Sequence, residues 1–166
     1  MSGQRPTVSL DSNLLLYAYA RNLPEHPKAR EFLEGLSGRE DVAISEFVLV
    51  EFYRLLRLRV LHARPLSAGE AAEVVQTYRA HPRWSLVGFP ESRSSEIHDE
   101  LWRRAAQPQF AYRRIFDARL ALVLRHHGVT DFATANVRDF DGFGFRRVWN
   151  PLQDGAGPGR QGKERR

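Results

Sequence analysis

Apolar residues in this chain take two alternating forms, short unbroken runs and longer stretches in which they recur at every third or fourth position. The run Thr7-Val8-Ser9-Leu10 reads as a strand closed by Asp11. Behind it, Leu14, Leu15, Leu16, Tyr17 and Tyr19 predict a largely buried helix from Ser12. Ala29, Phe32, Leu33 and Leu36 give one apolar face to a surface helix between Pro24 and Leu36, ended by Gly35 and Gly38. Val42-Ala43-Ile44 predicts a second strand, with Ser45 capping a long helix through Val48, Leu49, Phe52, Leu55 and Leu56. Pro65 and Ser67 open a third helical stretch, which Pro82 stops near Ala80. Trp84–Val87 then reads as a strand, Ser92–Ala106 as a helix through Ile97, Leu101 and Ala105, and Ile115–His127 as a helix closed by Gly128. Val129–Thr134 predicts a strand, Asn136–Phe140 a tight turn, and Phe145–Val148 a last short strand.

Strands alternating with helices imply βαβ units, hence an α/β fold with a mainly parallel central sheet flanked by helices on both faces. At 166 residues the chain suits one domain, placed at residues 1–152. Residues 153–166 are rich in glycine and charge and lack periodicity, so they are expected to form a disordered basic tail.

Composition narrows the chemistry. There is no cysteine, which excludes disulfides, thiolate zinc sites and cysteine nucleophiles, and leaves oxygen or imidazole to hold any metal. No run approaches the ~18 apolar residues of a membrane helix, and Met-Ser-Gly-Gln-Arg-Pro leads into a strand instead of a signal-peptide core, so no membrane association and a cytoplasmic location are expected. The net charge is +5, but residues 154–166 hold four basic and two acidic residues, so the body is only mildly basic. That suits attraction to phosphate without identifying a partner.

In open parallel sheets ligands gather beyond the carboxyl ends of the strands, near the point where strand order reverses. That rule ranks the acids. Asp11 follows the first strand directly, and Asn136 and Asp139 follow the strand that ends near Thr134. Glu51 lies about 9 Å along its helix from Ser45 and could reach the same edge. Asp117 starts the helix that precedes the Thr134 strand, near the helix's positive end. Crowded carboxylates repel, and a divalent cation relieves that repulsion. Magnesium prefers carboxylate and water oxygens and is completed by substrate phosphate, which favours phosphodiester hydrolysis.

Four segments, Leu10-Asp11-Ser12-Asn13, Ser45-Glu46-Phe47-Val48-Leu49-Val50-Glu51, Phe116-Asp117-Ala118-Arg119-Leu120-Ala121 and Thr134-Ala135-Asn136-Val137-Arg138-Asp139-Phe140, resemble the PIN domain in order and spacing. The closing Trp149-Asn150-Pro151-Leu152 is similar to the end of many VapC toxins. The resemblance runs from Val8 to Leu152. It implies an endoribonuclease toxin dependent on Mg²⁺ or Mn²⁺, with transfer RNA the leading substrate, acting as a homodimer and neutralised by a VapB-like antitoxin. By the same resemblance Asp11 and Asp117 are the principal metal ligands, Glu51 the second acid, and Asp139 the fourth, bound through water. Asn136 stands where many relatives carry aspartate, which leaves Asn136 and Asp139 as alternatives for completing the site. Asn13 and Thr134, and with them Ser45, match polar residues that support the site by hydrogen bonds.

Each of these residues also has a plainer reading. Asp11 and Asp117 suit helix caps, Glu51 suits an ion pair with Arg54, and Asp139 suits a turn before Gly142. Glu46 is favourable at a helix start without any chemistry, and His126 and His127 suit a helix C-terminus. Arg113, Arg114 and Arg119 flank Asp117 either as RNA-phosphate contacts or as structural partners. The aromatics Phe47, Phe52 and Tyr53 read chiefly as core, with excess apolar surface available to a second copy or the antitoxin. A phosphatase of the haloacid-dehalogenase type would need a second aspartate where Asn13 stands. A non-catalytic RNA-binding or regulatory module on the PIN fold remains the alternative from another class.

Overall fold

A computed structural model describes residues 5–153. Five strands, β1 (Val8–Leu10), β2 (Val42–Ser45), β3 (Ser85–Val87), β4 (Asp131–Ala133) and β5 (Arg147–Trp149), form one parallel sheet in the order β3-β2-β1-β4-β5. Six helices connect them: α1 (Ser12–Tyr19), α2 (His26–Ser37), α3 (Glu46–Leu56), α4 (Ala68–Arg79), α5 (Ser94–Ala105) and α6 (Ile115–His126). The expected fold class is the one observed. Because parallel crossovers are right-handed, the connections running β1 to β2 to β3 cover one face of the sheet, and the return from β3 to β4 covers the other. Strand order therefore reverses between β1 and β4, and that junction positions the site.

β1 is buried at every position, as a central parallel strand must be, and pairs Leu10 with Ala133 of β4. The ladder continues one residue past each strand: Asp11 N–H donates to the Ala133 carbonyl at 2.9 Å, and Thr134 N–H donates to the Trp149 carbonyl at 2.9 Å. These bonds fix the backbones of Asp11 and Thr134 side by side at the carboxyl edge of the sheet. Leu10, Leu14, Leu15, Ile44, Leu49, Phe52, Leu124 and Phe132 form the fully buried centre of the core. Phe52 and Phe132 are the largest of these, and truncating such a side chain to alanine costs about 3–5 kcal/mol.

Local signals explain the helix ends. Ser67 caps α4 in a capping box, its hydroxyl accepting from Glu70 N–H while the Glu70 carboxylate accepts from Ser67 N–H. α6 ends at Gly128, whose φ of 91° lets Val129 N–H reach back to the Leu124 carbonyl at 3.1 Å. The last strand lies later than the sequence predicts. Gly142 and Gly144, at φ 81° and 77°, turn the chain so that Phe145 packs on Phe132 with ring centres 5.6 Å apart, and the strand begins at Arg147. Of the expected tail, residues 154–166 lie outside the described residues. No described helix is long and apolar enough to cross a membrane.

Candidate active site

Asp11 is only 6% exposed and is held from several sides. As the cap of α1 it accepts Ser12 N–H at Oδ1 at 2.8 Å, and at Oδ2 it accepts the Thr134 hydroxyl at 2.7 Å and Asn13 Nδ2 at 3.3 Å. Capping and site roles thus coincide in one carboxylate. Thr134, itself buried, accepts Asn136 N–H at 2.9 Å and Asn13 Nδ2 at 3.4 Å, while Asn13 Oδ1 accepts Ala135 N–H at 3.3 Å. Asn13 and Thr134 therefore lock the end of β1 to the end of β4, across more than a hundred residues of sequence.

Ser12 joins a third element to this edge. Its hydroxyl lies 3.0 Å from Glu51 Oε2 and 3.4 Å from Asp11 Oδ1, so one side chain bridges the two acids. The sequence reading took Ser12 only as the start of a helix, and no local signal marks a contact to a residue 39 positions away. Arg54 approaches Glu51 Oε1 at 3.5 Å, with Arg54 60% exposed, too loose and too wet a pair to account for Glu51 by itself.

Asp117 sits in the first turn of α6, two residues inside its start at Ile115, and no described residue donates a hydrogen bond to it. It is not a cap. Its carboxyl is raised to about 6, chiefly by burial and then by the charges of Asp11, Asp139 and Glu51, in that order, with Arg114 partly offsetting them. Burial is also the main cause that raises Asp11 to about 6; the Thr134 and Ser12 bonds resist the rise, and the Glu51 charge adds to it. Repulsion between Asp11 and Asp117 belongs to both partners, since one Coulomb energy is shared by the pair. The other three sequence-predicted acids thus all act electrostatically on Asp117, and Glu51 acts on Asp11 as well.

The remaining predicted residues divide. Asn136 is exposed and contributes its backbone N–H to Thr134, whereas the Asp139 charge acts on Asp117. Ser45 is the cap that the sequence predicts for α3: its hydroxyl accepts Phe47 N–H at 3.2 Å, and it joins no bond to the acids among the described residues. Its contribution is to set where α3 starts. Arg114 is likewise structural, its guanidinium donating to the Asp139 carbonyl at 2.9 Å and to the Asp141 carbonyl at 3.4 Å, which pins the turn that carries Asp139. Glu46, set aside on sequence, pairs with Arg79, and His127 Nε2 lies 2.8 Å from the Gly88 carbonyl.

Against known families, residues 8–145 match the PIN domain. This chain belongs to the PIN-domain family. It is 51% identical over 145 residues to the ribonuclease VapC24 of Mycobacterium tuberculosis, an alignment covering 87% of this chain and 97% of that protein. Among solved structures, VapC20 of M. tuberculosis, a sarcin-ricin loop cleaving toxin, superposes with a TM-score of 0.55 at 18% identity, covering 76% of this chain and 87% of that one. VapBC2 from Rickettsia felis, bound to a DNA fragment from its promoter, superposes with a TM-score of 0.57 at 16% identity, covering 87% and 98%. At those identities the two structures support the fold.

The PIN-domain acids fit a hydrated divalent ion better than an enclosed one. Among the described residues no three His, Cys, Asp or Glu side chains are grouped so that they hold a metal by themselves. Yet the charges of Asp11, Asp139 and Glu51 add to the proton affinity of Asp117, which is unfavourable to its ionised form unless positive charge joins them. A donor set of oxygens only, with much of the shell left to water and phosphate, is what Mg²⁺ or Mn²⁺ accepts, whereas zinc sites are built mainly on nitrogen and sulfur.

Proposed function

We propose that this protein is a divalent-metal-dependent endoribonuclease of the VapC kind, hydrolysing RNA phosphodiester bonds at the junction of β1 and β4. One observation carries the reading: Asp117, which accepts no hydrogen bond from the described residues, is surrounded by the charges of Asp11, Asp139 and Glu51 at the topological switch point. Asp11 and Asp117 would hold Mg²⁺ or Mn²⁺, with Glu51 and Asp139 completing the site through water. When bound, the ion neutralises phosphate charge and lowers the pKa of the attacking water.

The chain's own residues supply the rest. Thr134 and Asn13 fix the Asp11 carboxylate so that it does not swing away from the phosphate position. Glu51, tied through Oε2 to Ser12, is placed to take the proton that the attacking water releases. Arg114 holds the backbone that presents Asp139. In the cytoplasm the toxin would act as a homodimer, with transfer RNA its leading target, and a VapB-like antitoxin would neutralise it. That partner assignment rests on the similarity to VapC24 and on the toxin-antitoxin complexes that share the fold.

The decisive assay incubates purified protein, freed of any antitoxin, with total cellular RNA in Mg²⁺ and in EDTA. Cleavage that requires the metal and disappears in Asp11→Asn and Asp117→Asn is the expected result. Binding without EDTA-sensitive cleavage would make the chain a non-catalytic RNA-binding module instead.

A further inference from the structure

Beside the acids lies an aromatic and cationic surface that the reading above leaves unused. Phe116 is 64% exposed, although its ring stacks on Phe47 with centroids 6.4 Å apart and planes at 19°. Phe47 packs against the core and so braces Phe116 from beneath. The pair borders the carboxylates from both helices that carry them: Phe47 lies one turn before Glu51 on the same face of α3, and Phe116 directly precedes Asp117 on α6.

One guanidinium group reaches the bracing ring, and a second belongs to the short helical turn, Tyr112–Arg114, that leads into α6. Arg119 lies 4.4 Å from the Phe89 ring centre and 6.0 Å from that of Phe47. Arg113 lies 5.6 Å from the ring of Tyr112, which is 78% exposed. Among the described residues neither arginine forms an ion pair, whereas at least nine other arginines do. An exposed apolar ring beside unpaired guanidinium groups is poorly matched to water alone and poorly matched to an apolar protein face, which would bury the arginines uncompensated. It is well matched to a nucleotide, which offers a π face to the ring and a phosphate to the arginine.

We propose that Phe116, braced by Phe47, is a base-stacking residue on which a nucleobase adjoining the scissile phosphate rests, while Arg119 and Arg113 meet the flanking backbone charge. This assignment rests on the ribonuclease reading for its substrate and adds the contact that orients it. Stacking of this kind is tolerant of base identity, so Phe116 holds a nucleotide in place beside the acids without reading its sequence.

The test measures binding to two short labelled strands of equal length, oligoadenylate and an abasic ribose-phosphate strand, by fluorescence anisotropy in Mg²⁺. The Asp117→Asn background prevents cleavage. Phe116→Ala should weaken oligoadenylate binding about 5- to 100-fold and leave the abasic strand unchanged, while Phe116→Tyr retains the wild-type preference. Equal losses on both strands, no loss on either, or no binding of oligoadenylate by the parent protein would overturn the proposal. So would a halved particle mass in sedimentation with RNA affinity unaltered, which would make this face a contact between copies of the chain. If stacking holds and the wild type still cleaves no RNA, the nuclease reading fails and the platform stands. If the wild type cleaves and Phe116→Ala binds and cleaves as well as it does, the platform alone fails.

Discussion

Replacing Asp117 by asparagine should stabilise the metal-free protein while abolishing its activity, an inversion that an ordinary structural aspartate would not show. The substitution removes a charge and keeps the shape, and no described hydrogen bond to Asp117 is lost. A carboxyl raised from 3.8 to about 6 makes the folded state bind protons that the unfolded state has released. Stability therefore falls as pH rises from about 4 to about 6, the cost being absent below the unfolded value and complete above the folded one. At 1.36 kcal/mol per unit the ceiling is about 3 kcal/mol, and solvent screening of this half-buried group brings it to about 1–2 kcal/mol. For a domain of this size that is about 3–6 °C in Tm. Thermal unfolding in EDTA should place Asp117→Asn above wild type at pH 7.5 and level with it at pH 4. Adding Mg²⁺ at pH 7.5 should raise the wild type and leave the variant where it was. A variant that melts at or below the wild type in EDTA at pH 7.5 would refute the argument that burial and the neighbouring charges disfavour this carboxylate.

Further outcomes follow from single contacts. Thr134→Val keeps volume but removes the donor to Asp11 and the acceptor for Asn136 N–H, so urea denaturation should show a loss of about 1–3 kcal/mol, with cleavage reduced. Asp41, held down to about 2 by Arg39 and Thr7, contributes stability that is present above 3.8 and lost as pH falls toward 2. Asp41→Asn should accordingly cost about 1–2 kcal/mol at pH 7 and nothing near pH 2, read from melting temperatures across that range. Gly128→Ala meets nothing closer than the Pro6 carbonyl at 3.8 Å, so its expected loss of about 1 kcal/mol would report the strained φ alone, and an unchanged denaturation midpoint would contradict it. RNA affinity should fall linearly in log-log form with added salt, and a flat response would rule out phosphate-dominated binding.

The sequence shows which residues end strands but not which strands touch. Asp11 is legible because a buried run stops at it, and the four acids are legible as a set because the family motifs keep their order. That Asp11 meets Thr134 follows only from β1 pairing with β4, a contact between segments more than a hundred residues apart that no local period encodes. Ser12 shows the same limit. Its hydroxyl lies between Asp11 and Glu51 because α3 packs against α1, and in the sequence it is merely the residue after an aspartate. The misplaced start of β5 and the structural role of Arg114 share a cause, since Gly142, Gly144 and the carbonyls of 139 and 141 form a turn whose partners include Phe132 of β4 and Arg114 just before α6.

Phe116 marks the complementary case, a residue whose type is plain in the sequence and whose setting inverts its meaning. Next to Ile115 and Ala118 it reads as one more apolar position of an amphipathic helix. Helical rotation separates it from Ala118, which is fully buried, and leaves its ring outward beside Asp117. A fold gains nothing from such exposure, as burying a ring of this size stabilises by about 1.5–3 kcal/mol. The acids show the same pattern from the other side: Asp117 gives up stability to burial of its charge and to repulsion, both of which an asparagine would avoid. Two adjacent positions on one helix that both forgo stability are better explained by a bound ligand than by packing, since a metal ion would offset the first cost and a stacked base the second.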